Sequence, residues 1–120
     1  MKTQSLHNQL VDWRHDLHMN PQISFEEEYA SNKVASLLKD FGIEVYQGIA
    51  KTGVVGVLTK GKSNKSIGIR ADMDALPINE INTFSYKSKI PDRMHACGHD
   101  GHTTMLLGAA KFLAEQGNFD

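Results

Sequence analysis

Apolar positions in the first twenty residues recur at helical spacing. Leu6, Leu10, Trp13 and Leu17 stand at i, i+4, i+7 and i+11, which places them on one stripe and predicts a helix from about Gln4 to Met19. Asn20-Pro21 breaks it. Ser24 with Glu27 three residues later has the form of a capping box and predicts that a second helix starts there. Val34, Leu37, Leu38 and Phe41 supply its buried face, and Gly42 ends it. Glu26, Glu27 and Glu28 read as a charged first turn facing the positive end of the helix dipole, in preference to a carboxylate metal site.

The pattern then changes. Ile43 to Tyr46, Gly53 to Thr59 and Ile67 to Ala71 are apolar and in part β-branched, and they predict strands, with a turn at Lys60 to Ser66. From Asp72 to Arg93 the chain reads as mostly irregular, interrupted by Pro77 and Pro91, with short strands at Ile78 to Ile81 and Phe84 to Tyr86. A last helix is predicted from about His102 to Gln116, with Met105, Leu106, Ala109, Phe112 and Leu113 on its apolar side and Gly117 beyond its end. The order helix, helix, strands, helix points to an α/β layered domain.

Composition narrows the function classes. At 120 residues the chain is one domain at most, long enough to bury roughly two-thirds of its unfolded surface. Thirteen basic against fourteen acidic residues leave a net charge of −1, which draws the chain neither to nucleic acid nor to an anionic membrane. No apolar run approaches the roughly 20 residues of a membrane helix. The single cysteine excludes an internal disulfide. With no apolar signal stretch near Met1, it predicts a cytoplasmic protein.

The candidate chemistry is concentrated in Met94-His95-Ala96-Cys97-Gly98-His99-Asp100-Gly101-His102. Three of the six histidines fall within these nine positions, around the only cysteine. Thiolate and imidazole both suit zinc and its neighbours. Cys97 and His99, one residue apart in an extended loop, can point to the same side, and Gly98 and Gly101 let the backbone bend around an ion. Taken singly, such residues are more often a buried small hydrophobe and a hydrogen-bonded histidine; together they favour a metal site. Asp72 and Asp74 follow the predicted strand Ile67 to Ala71, at the end of a strand where ligand sites of α/β sheets gather. They read as metal ligands, as partners that hold a ligand histidine in its tautomer, or as an acidic turn ahead of Pro77. Phosphate-binding glycine loops, the serine nucleophile elbow and H-E-x-x-H are absent.

Arg70-Ala71-Asp72-Met73-Asp74-Ala75-Leu76-Pro77-Ile78 and the segment Met94 to Thr104 resemble the two N-terminal signatures of the M20 metallopeptidase family, in its amidohydrolase branch. That branch includes hippurate hydrolases, N-acyl-amino-acid amidohydrolases and auxin-conjugate hydrolases. Arg14 to Gln22 followed by Phe25-Glu26-Glu27, and Thr52-Gly53-Val54-Val55-Gly56, resemble further stretches of it in the right order. The resemblance implies the N-terminal part of a catalytic domain in which helices flank a central mixed sheet. Residues 1–120 would form that part, incomplete, with no second lid or dimerisation domain.

It also implies a site of two divalent metals, zinc or manganese, with cobalt or nickel as further candidates. Cys97 and His99 would be ligands and Asp74 a supporting residue. The wider family has a ligand histidine where this chain has Asp72, so metal binding is not carried onto Asp72. Asp72, His95, Asp100 and His102 are candidates for positions around the ligands or facing the substrate. The implied reaction is metal-assisted hydrolysis of the amide bond of a small N-acyl amino acid. The general-base glutamate of the family lies downstream of these motifs, and no Glu-Glu pair follows His102 here. The chain is therefore expected to act together with a missing C-terminal part, or to be an inactive remnant that binds only metal or a partner subunit.

Overall fold

The computed structural model describes residues 3–120. Helix α1 runs Thr3–Met19, α2 Glu28–Asp40, strand β1 Glu44–Ile49, β2 Gly53–Val57 and α3 His99–Gln116. Leu17 and Pro21 are fully buried where α1 ends, and the Asn20 amide closes that end on the Asp16 carbonyl at 2.8 Å.

The second helix starts four residues later than the capping-box reading predicts. Ser24 and Phe25 form a turn, with Phe25 in the left-handed region at φ 65°. Glu27 flanks the helix without a side-chain cap. Its carboxylate is buried and accepts from Thr52 Oγ1 at 2.6 Å instead. Gln22 serves the helix end: its Oε1 accepts from the Tyr29 backbone N–H at 2.6 Å. Of the three glutamates, Glu28 alone lies in the first turn of α2. The other end follows the sequence pattern, with Gly42 at φ 76° just past the cap and its N–H on the Lys39 carbonyl.

β1 and β2 form a two-stranded antiparallel sheet, paired from Glu44↔Val57 to Ile49↔Gly53 with an irregularity between Gln47 and Ile49. Val45 and Val54 face α2 and join a core of Val34, Leu38, Ile43 and Leu107, ringed by Trp13, Phe41, Leu58 and Met73. The alternate residues Tyr46, Val55 and Val57 are exposed, so the sheet is covered on one face.

Three predicted strands do not form. Ile67 to Ala71 is unpaired, with Ile67 90 % and Ile69 64 % exposed. Ile78 to Ile81 and Phe84 to Tyr86 are irregular. A strand needs a neighbour to take its backbone hydrogen bonds, and among the described residues none lies alongside these segments. A single bridge, Leu76 with Met94, joins the two ends of the irregular region through bonds of 2.9 and 3.0 Å.

Helix α3 starts at His99, three residues before the predicted start, and it turns a different face inward. Thr103, Thr104, Leu107 and Gly108 are buried, whereas Met105 and Phe112 of the predicted apolar side are 63 % and 48 % exposed. Small residues decide the choice. A Cβ on Gly108 would stand 2.7 Å from Leu10 Cδ2, so α1 and α3 approach closely there and a larger residue would have to push the Leu10 side chain aside. Lys60 closes the far end of α3, donating to the Ala114 and Gly117 carbonyls at 3.1 and 2.8 Å.

Candidate metal centre

The Leu76–Met94 bridge brings the two sequence signatures together. Asp74 lies two residues before Leu76, and His95 directly follows Met94. Thr103 Oγ1 donates to the Asp72 carbonyl at 2.8 Å, and the Ala75 N–H to the Gln22 carbonyl at 2.8 Å. The segment Asp72–Ala75 is thereby held between the start of α3 and the turn after α1.

Gly98 precedes α3 in the left-handed conformation, φ 89°. The turn into the helix therefore falls between Cys97 and His99, and the two residues do not lie in one extended stretch. Gly101, read from sequence as a second bend, is an ordinary helical residue. The left-handed turn needs glycine because a Cβ there would crowd the backbone. Cys97 is left exposed as a free thiol.

His99 Nδ1 lies 2.9 Å from both the carbonyl oxygen and Oδ1 of Asp74. A ring nitrogen facing two acceptors carries the hydrogen, so in the neutral imidazole Nε2 keeps the lone pair. Ser24 Oγ donates to the other oxygen of Asp74 at 2.8 Å. Burial works against the charge on Asp74, but the hydrogen bonds from Ser24 and His99 outweigh it and hold the carboxyl below its ordinary range.

The remaining candidates divide. His102 is exposed, its ring 5.9 Å from that of His99. His95 is buried, its Nδ1 has no hydrogen-bond partner, and burial pushes its pKa down. Asp72 pairs with Arg70. Asp100 is 3 % exposed and accepts from His18 Nδ1 at 2.7 Å, with Arg14 Nε at 3.0 Å. Burial opposes its charge, and His18 and Arg14 more than offset it, so its pKa is lowered. Among the described residues no three His, Cys, Asp or Glu side chains gather closely enough to enclose an ion.

Sequence reasoning missed His18 and Glu80. His18 is 3 % exposed, and its second nitrogen, Nε2, meets Glu80 Oε1 at 3.0 Å. Asn82 Nδ2 and the Ser88 N–H also donate to the Glu80 carboxylate, at 2.9 and 2.6 Å. Although burial raises it, these partners bring the pKa of Glu80 down to about 2. A signal for His18 was present: Arg14 and His18 are four apart on α1 and share a face. Glu80 has no local signal, because an irregular loop carries it in.

The donor types fit a divalent cation. A solvent-facing thiol and an imidazole whose carboxylate partner leaves Nε2 free are both suited to zinc-like ions. The buried His95 Nδ1, without a hydrogen-bond partner, is a further polar atom of the same signature, its ring 6.4 Å from that of His18. Their number falls short of a closed site.

The chain is similar in sequence and fold to known proteins. Residues 68–119 match the model of peptidase family M20/M25/M40. The chain is 61 % identical over 107 residues to a hippurate hydrolase of Campylobacter jejuni, covering 89 % of this chain and 28 % of that protein. It is 47 % identical over 106 residues to an N-acyl-L-amino acid amidohydrolase of Geobacillus stearothermophilus, covering 88 % and 29 %. The crystal structure of YxeP from Bacillus subtilis, described as a dinuclear metal binding peptidase of the M20 family, superposes with a TM-score of 0.90 at 38 % identity, over 94 % of this chain and 32 % of that one. The chain belongs to the M20 family of peptidases and amidohydrolases. Its fold matches the corresponding part of the family's α/β fold, a central mixed sheet flanked by helices, to which the described residues contribute the antiparallel pair β1–β2. It spans between a quarter and a third of the length of these relatives.

Proposed function

We propose that this chain is the N-terminal portion of the catalytic domain of a metal-dependent amidohydrolase whose substrates are small N-acyl amino acids. The pair Asp74–His99 carries the reading. It sets one imidazole nitrogen as a lone-pair donor two residues from the only thiol. That arrangement is expensive to leave without purpose, since it keeps two polar groups partly buried. The similarity to a hippurate hydrolase and to an N-acyl-L-amino acid amidohydrolase supports the substrate class.

Cys97 and His99 would hold the cation, with Asp74 fixing the His99 ring. A divalent metal bound there supplies a Lewis acid for the acyl oxygen and lowers the pKa of water. Asp74, with its pKa lowered, stays ionised at neutral pH and keeps the hydrogen on Nδ1 of His99. A general base is assigned to none of these residues, and hydrolysis would need a carboxylate from elsewhere in the complete enzyme.

A chimera tests the reading. Residues 1–120 would replace the matching segment of the Campylobacter jejuni hippurate hydrolase. The chimera should hydrolyse hippurate in a chelator-sensitive way, and Cys97→Ser within it should remove most of that activity. A folded, metal-loaded chimera without turnover would instead favour an inactive remnant. In the 120-residue chain, Cys97→Ser should weaken zinc binding far more than His7→Ala on the distant start of α1; equal affinities would sink the ligand assignment.

A further inference from the structure

We infer that His18 is a positioning residue for the turn that carries Cys97 and His99. It clamps Asp100 of α3 with one ring nitrogen and Glu80 of the irregular loop with the other. The inference rests on the metal reading of Cys97 and His99 given above.

The contacts come from three separate parts of the chain. His18 and Arg14 belong to α1, Asp100 to the first turn of α3, and Glu80 to the loop. His18 Nδ1 reaches Asp100 Oδ2 at 2.7 Å and Nε2 reaches Glu80 Oε1 at 3.0 Å. The side chains of His18, Asp100 and Glu80 are only 2 to 3 % exposed. Asp100 is bonded through the chain to His99, and its carbonyl also takes Thr104 Oγ1 at 2.7 Å. A displaced Asp100 would rotate the first turn of α3 and with it the His99 ring.

A buried ionic cluster of this kind contributes little net stability, because desolvation cancels most of the attraction; apolar side chains of the same volume often do better. What it supplies is direction. A ring held at both nitrogens has one orientation, and each carboxylate it holds is fixed by other donors as well. At the preceding residue of the same turn, Asp74 holds His99 Nδ1. The turn is therefore held at two adjacent residues, by Asp74 on His99 and by His18 on Asp100. Groups of this type that orient ligands typically affect metal affinity by about 10- to 100-fold.

The test is a cobalt(II) titration of the 120-residue chain, read by the absorption of thiolate-bound cobalt, with zinc affinity taken by competition. His18→Gln should weaken binding by about 10- to 100-fold, because an amide can donate to one carboxylate while its oxygen faces the other. The double variant His18→Gln with Glu80→Gln should recover most of the affinity, since the second amide can donate to the first. Lys60→Met, which removes the clamp at the opposite end of α3, should lower the melting temperature and leave cobalt affinity unchanged.

Wild-type affinity in folded His18→Gln, or a loss for Lys60→Met as large as for His18→Gln, overturns the inference. If His18→Gln does not fold, Glu80→Gln alone decides: weaker binding supports the clamp, and wild-type binding overturns it. Failure of the underlying metal reading looks different, because Cys97→Ser would then leave the cobalt titration unchanged.

Discussion

At the residue scale, the site is organised by carboxylates that hold histidines. Asp74 fixes the tautomer of His99, and Asp100 and Glu80 fix the ring of His18. Each anion is partly or wholly buried, and its hydrogen bonds outweigh the cost of that burial. Asp74→Asn keeps an acceptor for His99 Nδ1 but removes the charge, so zinc affinity measured by calorimetric titration should fall by about tenfold or more. The buried carboxylate of Glu27 lies outside this group and is satisfied by Thr52 Oγ1 at 2.6 Å. Thr52→Val should cost about 1–3 kcal/mol in denaturant unfolding by stranding that carboxylate.

At the scale of elements, the joints carry the strain and the pH dependence. The β1–β2 connection places Ala50 and Lys51 at φ 48° and 83°, where side chains other than glycine are disfavoured. Lys51→Gly should raise stability by about 1 kcal/mol, read from the denaturant midpoint. Glu80 links the loop to α1, and its pKa falls from an ordinary 4.5 to about 2 on folding. A carboxyl depressed in the folded state contributes its stability above the unfolded pKa and loses it as pH falls through the folded one. Thermal stability should therefore decline between about pH 4.5 and pH 2, and Glu80→Gln should flatten that decline. A melting temperature of the variant that tracks wild type across this range would count against the buried Glu80 contacts.

At the scale of the whole molecule, the chain leaves much apolar surface open. Its radius of gyration is 15.2 Å, against about 14 Å for a compact domain of this length. Ile67, Ile69, Met105 and Phe112 are exposed, as are Tyr46 and Val55 on the uncovered face of the sheet. In the M20 relatives the matched segment is between a quarter and a third of the chain. Exposed surface of this kind promotes self-association. The pair Ile67→Thr and Ile69→Thr should reduce aggregation in light scattering while leaving the melting temperature nearly unchanged, because neither side chain packs against the described fold.

The sequence by itself determined whatever depends on neighbours along the chain. The stripe Leu6, Leu10, Trp13 and Leu17, the stop at Asn20-Pro21 and the glycine after α2 all act within a turn or two, and α1 and α2 follow from them. The cluster from His95 to His102 and the Asp72–Asp74 pair were legible as well, since their residue types and spacing stand out without any fold. The tertiary structure decided what depends on distant partners. Strand-like composition at Ile67 to Ala71 forms no strand here, for want of a paired neighbour. The apolar side of α3 predicted from sequence gave way to a face of Thr103, Thr104, Leu107 and Gly108, where the helix approaches Leu10 closely at Gly108. Glu27 left its capping role for Thr52, a partner 25 positions away. His18 met Asp100 and Glu80 across 82 and 62 positions. A side chain's reach is set in space, and only the folded chain brings such partners within it.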